Sequence, residues 1–272
     1  MEVHRAVILA AGVGTRMRLA VPDAVLTPDQ RAVADAGLKG LMPFGRPFLD
    51  HVVSALAEAG IDEVCLVVGP GSHEIVAYVE GHQGFEGQRM ELSTALQSRP
   101  LGTADALSSA ASFTRDQPFL VLNSDNFYPV AGLRQLVSLG GAGLLAIERS
   151  ATLRDPTTNL GADRLANFAV IEADAEGSIR RLEEKPARER YDHLPDPLWL
   201  SVNCWRFDPS IYDFCADLKP SGRGELELPA AALAAVEAGV TIRLVPTQGV
   251  LDLSTRADVA PVGRLLPGGS AL

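Results

Sequence analysis

RAVILAAGVGTRM, residues 5–17, is the stretch from which the fold can be read. The apolar run Val7-Ile8-Leu9 breaks into two glycines and then a Thr-Arg pair, the pattern of a buried strand that ends in a tight turn. Gly12 and Gly14 allow backbone conformations and a close approach that a Cβ would forbid. Free N–H groups of such a turn can point at phosphate oxygens, and Arg16 adds a fixed charge. The turn alone leaves a dinucleotide, an NTP and a plain structural turn open. A Rossmann fingerprint needs a third glycine where this chain has Met17, which weakens an NAD reading. A Walker A loop needs a Lys-Ser/Thr pair straight after the glycines, and that is absent too.

Further along, Val64-Cys65-Leu66-Val67-Val68 and Phe119-Leu120-Val121-Leu122 are the clearest additional strands. Between the first two strands, Leu49, Val52, Val53, Leu56 and Ala57 recur at helical spacing up to Gly60, completing a βαβ unit. A helix is expected over 103–111, with Thr103 as its N-cap. After residue 140 the pattern loosens into mixed strands at 143–148, 168–172, 179–183 and 200–207. GELELPAAALAAVEAG, residues 224–239, then predicts a helix with Pro229 in its first turn and Gly239 closing it. Residues 20–36 form an excursion with a short helix from Asp29, either a surface loop or a lid. The expected fold class is α/β, with a mixed, mostly parallel Rossmann-like sheet and helices on both faces. One domain spans 1–272, with 261–272 as a flexible tail.

The chain has 272 residues, 47% of them hydrophobic, enough for a substantial core. Lys+Arg 24 against Asp+Glu 34 gives a net charge of -10, which argues against a nucleic acid or an anionic membrane surface as partner. Any phosphate must be met by a few placed cations. Cys65, Cys204 and Cys215 lack CxxC spacing, so they read as buried thiols in a reducing cytoplasm rather than a disulfide framework or a zinc site. The apolar stretch at residues 6–11 is too short for a secretory signal or a membrane span, and a cytoplasmic location is expected.

LAAGVGTRM (9–17), KGLMPFGRPFLDHVVSAL from Lys39, LGTADAL from Leu101, NSDN from Asn123, EEKP from Glu183, GELEL from Gly224 and LDLST from Leu251 occur in one order along the chain. Taken together they resemble the ordered motifs of sugar-1-phosphate nucleotidyltransferases, the NDP-sugar pyrophosphorylases of the nucleotide-diphospho-sugar transferase fold. The resemblance covers nearly the whole chain. It implies an enzyme in which a sugar phosphate oxygen attacks the α-phosphorus of an NTP in line and pyrophosphate leaves. Catalysis of that kind is mainly positioning and neutralisation of phosphate charge.

By that resemblance, residues 1–140 mainly bind nucleotide and 141–260 mainly bind sugar phosphate. Arg16 and Lys39 would meet the triphosphate, Arg16 as a guanidinium fork and Lys39 near the α position, although the family usually places this lysine closer to the glycine turn. Leu9, Ala10, Ala11, Gly12, Gly14 and Thr15 would supply the base, ribose and phosphate contacts of the turn. Gln97, Pro100, Gly102 and Thr103 would read the base. Asp125 and Asp252 would hold Mg²⁺, a hard cation that keeps most of its waters and so needs one or two carboxylates. Glu184, Lys185, Asn203 and Glu225 would bind the sugar phosphate, with Lys185 also counted as catalytic.

The partners so implied are an NTP and a sugar 1-phosphate, with no nucleic acid and no membrane, and a homo-oligomer is compatible with them. Two departures from the pattern stand out. Ser124 replaces a common glycine before the metal aspartate, and Asn167-Phe168-Ala169 stands where the family has a Tyr-Gly pair. They leave room for a second reading, a catalytically silent regulator of the same fold that binds an NDP-sugar or an NTP.

Overall fold

The computed structural model describes residues 3–82 and 90–268. Its opening apolar run forms β1 (Arg5–Leu9), which lies inside a nine-stranded sheet. The other strands, in chain order, are β2 (Glu63–Val68), β3 (Glu91–Leu96), β4 (Phe119–Asn123), β5 (Ala142–Glu148), β6 (Val170–Ala173), β7 (Ile179–Glu183), β8 (Trp199–Phe207) and β9 (Ile242–Pro246). β4, β1, β2 and β3 lie side by side in that order and are all parallel. β9 is parallel to β5, and β8 runs antiparallel to β4, β5 and β6. β7 returns antiparallel to β6. Only β7 and β8 therefore oppose the other strands, and the sheet is mixed but mostly parallel.

β8 is the seam of the molecule. Its second half, Trp205 to Phe207, pairs with β4, whereas Trp199 and Leu200 pair with β6. Because β8 runs opposite to β4, its first half projects past the carboxyl end of β4, and the β6–β7 hairpin is carried with it. That hairpin stands above the strand ends where open α/β sheets bind ligands.

Alternation along the buried strands divides the core between two faces. Ala6 and Ile8 pack in one cluster with Phe48, Leu49, Val52, Val53 and Leu56 of the Phe48–Glu58 helix. Val7 turns to the other side, where the Thr103–Ser108 and Leu228–Glu237 helices supply Leu107, Ala231 and Ala235. Helices thus cover both faces, as expected. All three cysteines are buried and unpaired. Among the described residues no helix is long and apolar enough to cross a membrane.

Several element boundaries differ from the sequence expectation. The 103–111 helix ends at Ser108, and a separate turn of helix covers Ala111–Thr114. Thr103 is its first residue rather than its cap, because its Oγ1 is engaged elsewhere, accepting from the Leu228 N–H at 2.8 Å. The 224–239 helix is confined to Leu228–Glu237, so Glu225 precedes it. The expected tail at 261–272 is partly core. Val259–Leu265 is helical, Val262 and Leu266 are buried, and 269–272 lie outside the described residues.

Residues 20–36 contain a capped helix, Pro28–Ala36. Thr27 and Gln30 form a capping box at its start, and Gly37 ends it with φ 73°. Three side chains tie it down. Gln30 Nε2 donates to the Pro43 carbonyl, Arg18 Nη2 donates to the Ala36 carbonyl, and Arg256 pairs with Asp35. The end of this helix packs directly on the glycine turn. A Cβ on Gly14, whose φ is 65°, would meet the Gly37 carbonyl oxygen at 2.1 Å. We expect Gly14→Ala to cost roughly 2 kcal/mol or more, from left-handed strain plus a backbone clash, read as a lower midpoint in urea denaturation.

Candidate active site

A cleft of joined cavities lies at the carboxyl ends of β1 and β4. The first, about 310 Å³, is lined by Leu9, Ala11, Gly12, Lys39, Gln97, Pro100, Gly102, Thr103, Asp125 and Glu225, together with Asn123 and Ser124. The second, about 520 Å³, is lined by Arg16, Asp125, Arg164, Glu184, Lys185, Asn203 and Asp252, among others. A third, about 330 Å³, joins them through Leu9, Thr103, Asn123, Glu184, Lys185, Asn203 and Glu225, with Arg223 and Glu227 at its side. Asn123 and Asp125 border both of the first two cavities, so the end of β4 is the hinge of the whole cleft.

Local pairing explains how Asp125 and Asp252, far apart in sequence, come together. Beyond β4, Asn126–Phe127 forms a short antiparallel pair with Leu251–Asp252. The Leu253 N–H donates to the Asp125 carbonyl at 2.8 Å. On the other side of Asp252, Asn159 acts as a substitute strand: its Oδ1 accepts from the Asp252 N–H at 2.9 Å, and its Nδ2 donates to the Asp252 carbonyl at 2.8 Å. The Asn159 amide thereby satisfies both backbone groups of Asp252, while the next residue, Leu253, bonds on the opposite edge.

Each acid is met by a protein cation. Lys39 Nζ pairs with Asp125 Oδ2, and Arg164 Nη1 pairs with Asp252 Oδ1 while Arg164 Nη2 reaches Asp258 at 2.7 Å. Burial raises the pKa of the Asp252 carboxyl, and the Asp125 charge pushes it further up; Arg164 opposes both. Burial works against the Arg164 charge, but Asp252 and Asp258 outweigh it and hold the guanidinium above its ordinary value. Two carboxylates, each paired with a cation, thus border one cavity and offer hard oxygens suited to a divalent cation. No third His, Cys, Asp or Glu completes a metal cluster with them among the described residues.

On the second cavity, two residues have strained backbones. Lys185 has φ 44° and Asn203 φ 54°, in the left-handed region that side chains other than glycine seldom occupy. Asn203 lies at a register shift of β8 against β5 between Ser201 and Trp205. Buried Tyr128 pins this irregular stretch, donating from its hydroxyl to the Val202 carbonyl at 2.8 Å. Glu184 is pushed upward in pKa by burial and by the neighbouring Glu227, with Lys185 and Arg223 acting in the opposite sense.

The positions proposed from sequence fall into three groups. Leu9, Ala11, Gly12, Lys39, Gln97, Pro100, Gly102, Thr103 and Glu225 line the first cavity, and Asp125 joins it to the second. Glu184, Lys185, Asn203 and Asp252 line the second, and there the structure places Arg16 as well, away from the Gln97 cavity. The remainder of the turn has other work. Ala10 is buried with its N–H on the Val67 carbonyl, Gly14 packs on Gly37, and Thr15, itself exposed, begins a helical turn anchored by buried Met17. Sequence reasoning missed Arg164 and Asn159. Both belong to the irregular region before β6, where no periodicity singles them out.

Converging cations, a glycine turn and a strand-end acid at the carboxyl edge of an α/β sheet are the equipment of a protein that binds phosphorylated nucleotides. The Nucleotidyl transferase family model matches residues 5–249, and the chain belongs to that family. Glucose-1-phosphate thymidylyltransferase of Streptomyces griseus is 29% identical over 267 residues, covering 96% of this chain and 66% of the relative. The enzyme of the same name from Streptomyces antibioticus is 30% identical over 263 residues, covering 96% of this chain and 65% of the relative. The chain thus spans just under two thirds of these relatives' length. Among solved structures, a UDP-glucose pyrophosphorylase complexed with UDP-glucose superposes with a TM-score of 0.73 at 18% identity, covering 94% of this chain and 96% of that one. The inositol-1-phosphate CTP transferase of T. maritima gives 0.68 at 15%, covering 95% and 92%. At such identities the likeness concerns the fold.

A raised carboxyl pKa means that the folded state disfavours the Glu184 charge, a cost present above the folded pKa and gone once both states are protonated. Glu184→Gln should therefore raise the melting temperature at pH 7, and the gain should fade as pH falls through the carboxylate range. Melting curves at pH 7 and pH 4 check this.

Proposed function

We propose that this chain is a sugar-1-phosphate nucleotidyltransferase. A phosphate oxygen of the sugar phosphate attacks the α-phosphorus of an NTP, the bond to the bridging oxygen breaks, and pyrophosphate departs with the electron pair, leaving an NDP-sugar. The observation that supports this best is the continuity of the cleft. A cavity bordered by Gln97 and Gly102 runs past Lys39 and Asp125 into one lined by Arg16, Lys185, Asn203 and Asp252.

In this reading the nucleotide lies in the first cavity, its base against Gln97 and the 100–103 turn and its ribose along the backbone of Leu9 and Ala11. Lys39 is placed to neutralise the α-phosphate. Arg16, exposed at the edge of the second cavity, meets phosphate charge that grows as pyrophosphate leaves. Lys185 takes the incoming phosphate, and Glu184, Asn203 and Glu225 offer carboxylate and amide groups to sugar hydroxyls. Asp125 and Asp252 would hold Mg²⁺ through their carboxylate oxygens. When bound, the ion would neutralise the oxygens of both phosphates and so let two anions approach. The buried, unpaired thiols of Cys65, Cys204 and Cys215 support a reducing cytoplasm as the compartment of this reaction.

Purified protein with Mg²⁺, a panel of NTPs and a panel of sugar 1-phosphates should release pyrophosphate and form an NDP-sugar by phosphorus NMR, and EDTA should stop the reaction. Binding of NTP without any turnover across the panel would instead identify a regulator. Two variants test the assigned roles. Asp125→Asn should lower turnover by at least about 100-fold with the fold intact, checked by circular dichroism. Arg16→Ala should lower kcat by about 100-fold with a smaller change in KM, because its contact strengthens as charge develops.

A further inference from the structure

Arg256 opens the short turn that follows Asp252, and its side chain is only 8% exposed. Asp258 fixes the backbone there, its Oδ2 accepting from the Ser254 N–H at 3.1 Å, the Thr255 N–H at 2.6 Å and the Thr255 hydroxyl at 2.9 Å. From this base the guanidinium crosses to the glycine turn. Nε donates to the Met17 carbonyl at 2.9 Å and Nη2 to the Arg18 carbonyl at 3.1 Å, while the same Nη2 pairs with Asp35 near the end of the excursion helix. Two carbonyls and a carboxylate thus fill the planar fork, the arrangement for which a guanidinium is better shaped than an ammonium.

Those two carbonyls close the Thr15–Arg18 turn, which carries Arg16. Four residues cannot sustain a helix alone, because its nucleus fixes several dihedrals for one hydrogen bond. Arg16 is exposed on this turn and borders the second cavity together with Asp252, whereas Met17 beside it is wholly buried. The path from acid to cation is therefore short. It runs from Asp252 four residues on to Arg256, across one hydrogen bond to Met17, and one residue back to Arg16. The excursion grips the same turn from its other side, since Arg18 Nη2 donates to the Ala36 carbonyl at 2.8 Å and Gly14 lies against Gly37. Opening this end of the excursion as a lid would break all of these contacts.

We propose that Arg256 is a positioning residue which, with Asp35, holds the Thr15–Arg18 turn where Arg16 meets phosphate beside Asp252. Arg256 lines none of the three cavities of the cleft, so it acts on a ligand only through Arg16. The excursion gains a role by this assignment: its last residues, Asp35 to Gly37, brace the phosphate turn. The proposal rests on the reading of Arg16 as a phosphate-binding cation of a nucleotidyltransferase.

A double-mutant cycle on the full chain tests it, read by calorimetric titration with inorganic pyrophosphate and Mg²⁺, since binding needs no turnover. Arg256→Met keeps the apolar stem and removes the fork. It should weaken pyrophosphate binding by about 10-fold when Arg16 is present and by less than about 2-fold in an Arg16→Ala background, because residues in one network do not act additively. Asp35→Ala should give a smaller loss, about 3-fold, that vanishes in the same way. Should Arg256→Met fail to fold by circular dichroism, Asp35→Ala decides alone, its carboxylate being 61% exposed. Equal losses in both backgrounds show a merely structural role and overturn the proposal, as does unchanged affinity in the folded variants or in Arg16→Ala itself. Wild-type protein that binds pyrophosphate but turns over no member of the substrate panel overturns the nucleotidyltransferase reading, and the cycle still decides the role of Arg256. No binding of pyrophosphate by the wild type overturns both.

Discussion

Two largely buried carboxylates can border one cavity only if each is met by positive charge, and the architecture around Asp125 and Asp252 follows from that requirement. Lys39 reaches Asp125 from the end of the excursion after the glycine turn, and Arg164 reaches Asp252 from a short helical turn before β6. The side chains involved are between 10% and 20% exposed, so the pairs are screened only in part. Removing one partner of a buried pair leaves its mate uncompensated, at a cost of about 3–5 kcal/mol. In the proposed reaction the same cations serve a second purpose, because incoming phosphates present the same chemistry as the carboxylates they now neutralise.

Spacing along the chain is a poor guide to spacing in the cleft. Lys39 lies more than twenty positions beyond the glycine turn, yet Gly37 and Gly14 touch, and the intervening residues close on themselves as a capped helix held by Arg18, Gln30 and Arg256. The excursion behaves as a spacer that returns to its origin. What decides the position of Lys39 is the left-handed turn at Gly37, which redirects the backbone into the 39–41 turn. An excursion built this way can lengthen or shorten without moving the cation at its end.

The first half of the fold was legible because buried parallel strands leave continuous apolar runs, and Val7 to Leu9, Val64 to Val68 and Phe119 to Leu122 all form strands. Motif resemblance pointed to Asp125, and its place just past the end of β4 agrees with where open α/β sheets bind ligands. Motif resemblance named Gln97, Glu184, Lys185 and Asn203, and all four line the cleft. Illegible were the contacts that depend on long-range pairing. Thr103 looked like a helix cap, but Leu228, 125 positions away, claims its hydroxyl. Asn159 mimics a strand edge for Asp252, and Arg164 balances its charge; neither role leaves a local pattern, since each is defined by a partner roughly ninety residues distant.

Backbone strain is concentrated where the second cavity needs polar groups aimed at a small ligand. Lys185 and Asn203 would each relax if replaced by glycine, because a left-handed φ costs a non-glycine residue of order 1 kcal/mol. What keeps them there is a surrounding that fixes the backbone. Tyr128 anchors the irregular stretch of β8 through the Val202 carbonyl, Ser201 Oγ accepts from the Asn203 N–H at 3.2 Å, and buried Pro186 restricts the chain after Lys185. Alternation along β8 persists through the register shift: Leu200, Val202 and Cys204 pack in one core cluster, while Trp199, Trp205 and Phe207 pack in the other. Asn203 falls between Trp199 and Trp205 in that second series, at the point where β8 passes the end of β4, and there it borders the cavity.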